Sequence, residues 1–185
     1  QKRKDWNGLI SGFKASDLVF LDESGCNTDM TRRYAYSLGG SRAVDSAPLS
    51  KPKNTTILSS IQLDGTLRYT TFSGGTTVER FKRYLEIDLL PHLNGNSVLI
   101  MDNMKSHHAK VAKNLLDSSG VRYIYIPPYS PDLNPIEKLW SKVKALLRKF
   151  KARALDALPN AIQCAFQAVS PSDCSGWFKF CDYLH

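Results

Sequence analysis

The chain has 185 residues, 42% of them apolar and 23% charged, which is the balance of a folded globular protein and excludes a disordered tail. Its longest apolar runs, LVFL at Leu18 and VLIM at Val98, fall far short of the roughly 18 to 20 residues a membrane span needs. QKRKDW at the start leads into no secretion signal, so a cytoplasmic location is expected.

A chain of this length buries enough surface to fold around one core without disulfides or a structural metal. The four cysteines, Cys26, Cys164, Cys174 and Cys181, contain no CxxC pair and read as free thiols. The net charge of +8 favours a polyanionic partner. The excess is concentrated in KLWSKVKALLRKFKAR from Lys138, a stretch with seven basic residues and no acidic one.

In chain order, DLVFLD at Asp17 to Asp22 predicts a buried strand that ends on an acid, and a short second strand is expected at Arg32 to Leu38. Asn54 to Leu63 and Thr66 to Phe72 flank Asp64-Gly65, the signal of a tight hairpin. Thr76 and Glu79 have capping-box spacing and open a helix with Phe81, Tyr84, Leu85 and Leu89 on one face, ended by Pro91. The rhythm then becomes β-α-β: a strand over Ser97 to Met101, a helix over Ser106 to Leu116 and a strand over Val121 to Ile126. PPYSPDLNP from Pro127 must be an extended loop. After it Ile136, Leu139, Trp140, Val143, Leu146, Leu147 and Phe150 follow the 3.6-residue helical period. A further helix is expected over Leu155 to Val169, then a short helical cap carrying Trp177, Phe178 and Phe180. The order implies a mixed sheet with helices on both faces, an α/β or α+β fold, and by analogy it matches the α/β ribonuclease H-like arrangement with its five-stranded sheet.

Three acids fall at element boundaries. Asp22 ends the first strand, Asp102 ends the strand at Ser97 to Met101, and Glu137 sits in the first turn of the basic helix. Ligands gather at the carboxyl ends of strands in open sheets, so two adjacent strands could bring both aspartates to one crevice. Clustered carboxylates repel, by roughly 4 kcal/mol for unit charges 4 Å apart at an effective dielectric of 20. A divalent cation reverses that sign, and hard oxygen donors suit Mg2+ or Mn2+. Each acid also has a plainer use. Asp22 and Asp102-Asn103 could serve turns, and Glu137 could cap its own helix behind Asn134 and Pro135. Alternation along a strand sends Asp22 and Glu23 to opposite faces, so only one can join a site. His107 and His108 have no partner at zinc-like spacing; just past Asp102, one of them could approach a metal or a phosphate. Lys138, Lys142, Lys144, Arg148 and Lys149 lie largely outside the apolar stripe, where a DNA backbone could meet them.

Together LVFLDESG (Leu18 to Gly25), VLIMDNMKSHH (Val98 to His108) and YIPPYSPDLNPIEKLWSKVK (Tyr125 to Lys144) resemble transposases of the mariner superfamily, most closely the bacterial insertion-sequence branch. Residues 103 to 136, thirty-four of them, separate Asp102 from Glu137, a spacing that branch favours. The resemblance implies a DDE triad of Asp22, Asp102 and Glu137 holding two Mg2+ or Mn2+ ions, with no small-molecule cofactor. It also implies cleavage of double-stranded DNA at transposon ends followed by strand transfer into target DNA. Asn103, His107 and Asn134 become candidates for supporting the metal site or contacting DNA. A homodimer acting at the nucleoid is the expected assembly. Residues 1–16 would be the linker tail of a preceding DNA-binding region, 17–153 the catalytic domain and 154–185 a helical extension packed on it. The competing readings are a ribonuclease H-like nuclease or resolvase that joins nothing, and a non-catalytic DNA-binding remnant.

Overall fold

The apolar run from Leu18 is the first half of a nine-residue strand, β1 (Leu18–Cys26), which forms the middle of the sheet. The computed structural model describes residues 2–31, 34–46, 53–152 and 154–184. On one side β1 pairs antiparallel with β2 (Thr55–Gln62), and β2 with β3 (Leu67–Ser73). The hairpin between them turns at Gly65, whose φ of 90° only glycine adopts without strain. Asp64 Oδ1 accepts from the Thr66 amide at 2.8 Å to close that turn. On the other side β4 (Val98–Met101) and β5 (Arg122–Tyr125) lie parallel to β1, giving the order β3-β2-β1-β4-β5.

Helices cover both faces, as the order of elements implies. One layer holds α1 (Lys2–Ile10), whose Trp6 and Ile10 reach the same core as Leu18, Phe20 and Ile100. The opposite layer holds α2 (Val78–Arg83), continued as a wider π-type turn over Tyr84–Leu89, and α3 (Lys110–Ser119). Phe81, Tyr84, Leu85 and Leu89 are all buried there against Val19, Leu21 and Leu99. Returning to the first face, α4 (Ile136–Phe150), α5 (Ala157–Gln167) and α6 (Pro171–Phe180) complete the layer with α1. Ser170 and Asp173 form a reciprocal capping box at the start of α6. Phe20 meets Phe178 edge-on at 5.4 Å and Tyr183 at 5.0 Å, which locks this layer onto β1.

Several boundaries differ from the sequence reading. Residues 34–38 form no strand, and 32–33 lie outside the described residues. Both hydrogen-bonding edges of β1 are taken by β2 and β4, and Tyr34, Tyr36 and Leu38 stand exposed. The cap of α2 is Thr77, whose side chain accepts from the Arg80 amide, rather than Thr76. Helix α3 begins at Lys110 instead of Ser106, because the residues after Asp102 are held in turns that tie them to the site described below. The tail expected as a short cap is the ten-residue α6.

Phe20→Ala should cost about 3 to 5 kcal/mol by emptying a fully buried ring site. Tyr36→Ala, on an exposed segment, should change stability by less than about 0.5 kcal/mol. Urea midpoints at constant slope measure both; a large loss in the second variant would mean that this segment is part of the core.

Candidate active site

In the parallel ladder Leu21 pairs with Met101, so Asp22 and Asp102 come next side by side; Asp102 stands just past the end of β4, whereas Asp22, expected to end its strand, lies inside β1, which runs on to Cys26 because β2 continues to pair with it. Alternation sets the faces. Leu18 and Phe20 point to the layer of α4, and Asp22 follows them, whereas Val19 and Leu21 point to α2 and α3, and Glu23 goes with that set. The separation of the acid pair expected from the sequence is therefore what the fold produces.

Asp22 is buried, 8% exposed. Its Oδ1 accepts from the Glu23 amide at 2.8 Å, and its Oδ2 accepts from the Trp140 indole of α4 at 3.1 Å. Burial pushes its pKa up to about 7 against these two bonds, and the charges of Asp102 and Glu23 add to the rise. Asp102 goes the other way. Burial alone would raise it, but His107 and the Met104 amide, both bonded to Oδ1, hold it below the usual range.

Asp22, Asp102 and Glu137 line one cavity of about 420 Å³, with Asn103, Asn134 and the loop from Pro127 to Pro131 as its walls. Glu137 rises from the first turn of α4, and no side chain caps that helix, so the capping use of Asn134 and Glu137 is overturned. The reason is position: Asn134 is 5% exposed and its Oδ1 finds no hydrogen-bond partner, so it lines the cavity instead of closing the helix. Asn103 bridges the two parallel strands' exits, donating to the Ile126 carbonyl at 2.6 Å, and its Oδ1 lies 3.3 Å from His108 Nε2. The His108 ring stacks on Tyr125 at 4.2 Å.

His107 is wholly buried between two acids: Nδ1 lies 2.9 Å from Asp102 Oδ1 and Nε2 lies 3.2 Å from Glu23 Oε1. Burial disfavours its charge, but the bonds to the two carboxylates outweigh burial and push it up to about 10, so at neutral pH both ring nitrogens donate. Glu23 holds the far side of that ring. Alternation correctly removed it from the cavity, and only the third dimension shows it behind Asp102.

The donor set suits a hard divalent cation. Three carboxylates line one cavity, a neighbouring amide oxygen is unpartnered, and burial, with the like charges of Asp102 and Glu23, keeps the Asp22 proton on up to about neutral pH.

The predicted DNA-contacting residues divide along α4. Lys138 sits over the Phe180 ring at 3.7 Å and Lys142 pairs with Asp173, so both serve packing against α6. Lys144 and Arg148 line a polar notch with the end of β1 and the residues after it, Gly25 to Thr31. They follow Glu137 at helical spacings of seven and eleven, about 10 and 16 Å along the axis. Lys149 is exposed.

Carboxylates gathered on one cavity beside the two central parallel strands of a sheet in this order mark a ribonuclease H-like scaffold. The family model described as DDE superfamily endonuclease matches residues 17–158, and the chain belongs to that family. The transposable element Tc1 transposase of Caenorhabditis elegans is 30% identical over 83 residues, which are 45% of this chain and 30% of that protein. The fold is also that of a pre-cleavage Mos1 transpososome, with a TM-score of 0.81 at 18% identity over 98% of this chain and 59% of that one. It likewise matches the Mos1 mariner paired end complex with Mn, with a TM-score of 0.81 at 19% identity over 97% of this chain and 58% of that one. The catalytic domain of Mos1 mariner transposase gives 0.73 at 16% identity over 98% and 87%. The chain thus spans under two thirds of the length of the transposases in those complexes.

The raised pKa of Asp22 sets a pH signature. Between about 4 and 7 the folded protein keeps a proton that the unfolded chain releases, so stability falls as pH rises through that window. Asp22→Asn removes this slope. In metal-free buffer its Tm relative to wild type should climb from pH 4 to pH 8; a constant difference would mean that Asp22 ionises normally.

Proposed function

We propose that this chain is the catalytic domain of a transposase that cuts DNA at transposon ends and joins the freed 3′-hydroxyl to target DNA. The observation that carries the reading is the meeting of Asp22, Asp102 and Glu137 on one cavity in a chain of the DDE superfamily. Asp22 and Asp102 would hold the metal jointly, and Glu137 would complete the set from across the cavity. Two Mg2+ or Mn2+ ions bound there would polarise the scissile phosphate and activate the attacking water or hydroxyl. The chain's own residues supply the rest. Asp22 would give up its proton on becoming a ligand, His107 holds the Asp102 carboxylate, and the buried Asn134 and the strand-bridging Asn103 would offer amide groups to water or to the DNA backbone in the cavity.

Lys144 and Arg148 continue from Glu137 along one line of α4 and would take the phosphates flanking the cleaved one, with exposed Lys149 adding to the field. Joining two ends to one target needs two active sites, which supports a homodimer working on nucleoid DNA. The spacing of Asp102 and Glu137 and the PPYSPDLNPIEKLW string support the bacterial insertion-sequence branch. Recognition of the end sequences would belong to a region preceding residues 1–16, with 17–153 as the catalytic unit and 154–185 its helical support.

Supercoiled plasmid and labelled oligonucleotide ends incubated with Mn2+ test the reading. Nicking with joined product is expected; nicking alone would favour a nuclease or resolvase, and full DNA-dependent activity in Asp102→Asn would favour a non-catalytic remnant. Charge reversal at Lys144 and Arg148 should weaken DNA binding and lower the slope of log K against log salt by about two. Reversal at Lys138 and Lys142 should lower Tm first, since these lysines serve α6.

A further inference from the structure

Because Asp22 and Glu23 leave β1 on opposite faces, the residue beside one cavity acid lies behind another. The Glu23 side chain is 6% exposed, and its Oε1 accepts from His107 Nε2 at 3.2 Å. His107 in turn reaches Asp102 Oδ1 at 2.9 Å. The imidazole ring lies on Phe81 at 4.4 Å, and the residue's backbone is held separately, its carbonyl accepting from the Tyr125 hydroxyl at 3.0 Å. Asp102 is different, since its side chain is 40% exposed and it stands just past the end of β4. Apart from His107, only the Met104 amide restrains that carboxylate among the described residues, and both bonds fall on Oδ1.

We infer that Glu23 is a positioning residue for the metal site: through His107 it fixes the Asp102 carboxylate, with one oxygen committed to the protein and the other left for the cavity. This rests on the reading of Asp102 as a metal ligand. Glu23, His107 and Asp102 present donor atoms within 4.8 Å of one another and could be taken for a metal site themselves. The ring decides against it. Both its nitrogens are spent on carboxylates and it is completely buried, so a cation between them would have to displace the two bonds that hold the group together. Outer partners of this kind orient metal-binding side chains, and their loss weakens metal affinity by roughly 10- to 100-fold.

Two conservative variants separate reach from charge. Glu23→Asp keeps the charge but is one methylene too short for His107, whereas Glu23→Gln keeps the acceptor and loses the charge. Mn2+ affinity is read by electron paramagnetic resonance of free Mn2+ on folded protein, beside the DNA-cleavage kinetics. Glu23→Asp should bind Mn2+ more than tenfold more weakly, with KM for DNA unchanged and cleavage restored by excess Mn2+, and Glu23→Gln should stay within about threefold of wild type. If Glu23→Asp is too unstable to measure, Glu23→Met, which fills the space without an acceptor, replaces it with the same expected loss. Wild-type affinity in the variant lacking the acceptor overturns the inference, as does a loss in Glu23→Gln equal to that in Glu23→Asp. Absence of Mn2+ binding in the wild type, or its survival in Asp102→Asn, overturns the metal-site reading and this inference with it.

Discussion

The parallel pairing of β1 with β4 is the constraint on which the site depends. With Leu21 level with Met101, two aspartates that lie 80 positions apart in the chain must emerge together at one end of the sheet. A shift of one residue in that ladder would turn one of them into the opposite layer and leave an uncompensated carboxylate in an apolar core. The register is enforced by burial. Leu18, Phe20, Val98 and Ile100 fill one face while Val19, Leu21, Leu99 and Met101 fill the other, all essentially inaccessible to water. The precision of the acid pair is thus a by-product of packing several residues away.

Given that frame, the electrostatics follow from depth. Asp22 is sealed beneath Trp140 and resists ionisation, while Asp102, at the rim and bonded to a cationic ring, ionises easily. One site therefore holds two carboxyls of the same type with different proton affinities, set by environment alone. Glu137 arrives on a separate helix, so the cavity is closed by docking α4 on the sheet. That docking rests on Trp140, Val143 and Leu147 in the core and on α6, to which Lys138 and Lys142 are committed.

The sequence exposed much of this and concealed a particular part. The apolar cores of the strands and the 3.6-residue stripe of α4 were legible because burial writes itself as periodicity, and the segments carrying Asp22, Asp102 and Glu137 were legible because they are contiguous strings, although β1 runs on past Asp22 to Cys26. What stayed hidden depends on neighbours distant in sequence. Nothing near Arg32 to Leu38 says that both edges of β1 are already taken. Lys138 and Lys142 look like Lys144 and Arg148 until α6 is placed against them. Glu23 looked redundant because alternation says only which face a residue occupies, and not that His107 waits on that face. The start of α3 was misjudged for the same reason, since Asn103 and His107 have partners across the sheet that hold the chain out of helix.

The bond from the Trp140 indole to Asp22 has a further consequence. An indole N–H can donate but never accept, so it needs only a lone pair from the carboxyl and is indifferent to the sign of the change when that group loses its proton. The bond ties α4 to β1 at the base of the cavity in either charge state. The wall that carries Glu137 is therefore anchored by a contact that does not depend on whether Asp22 is protonated: the cleft can lose that proton without letting go of its own side.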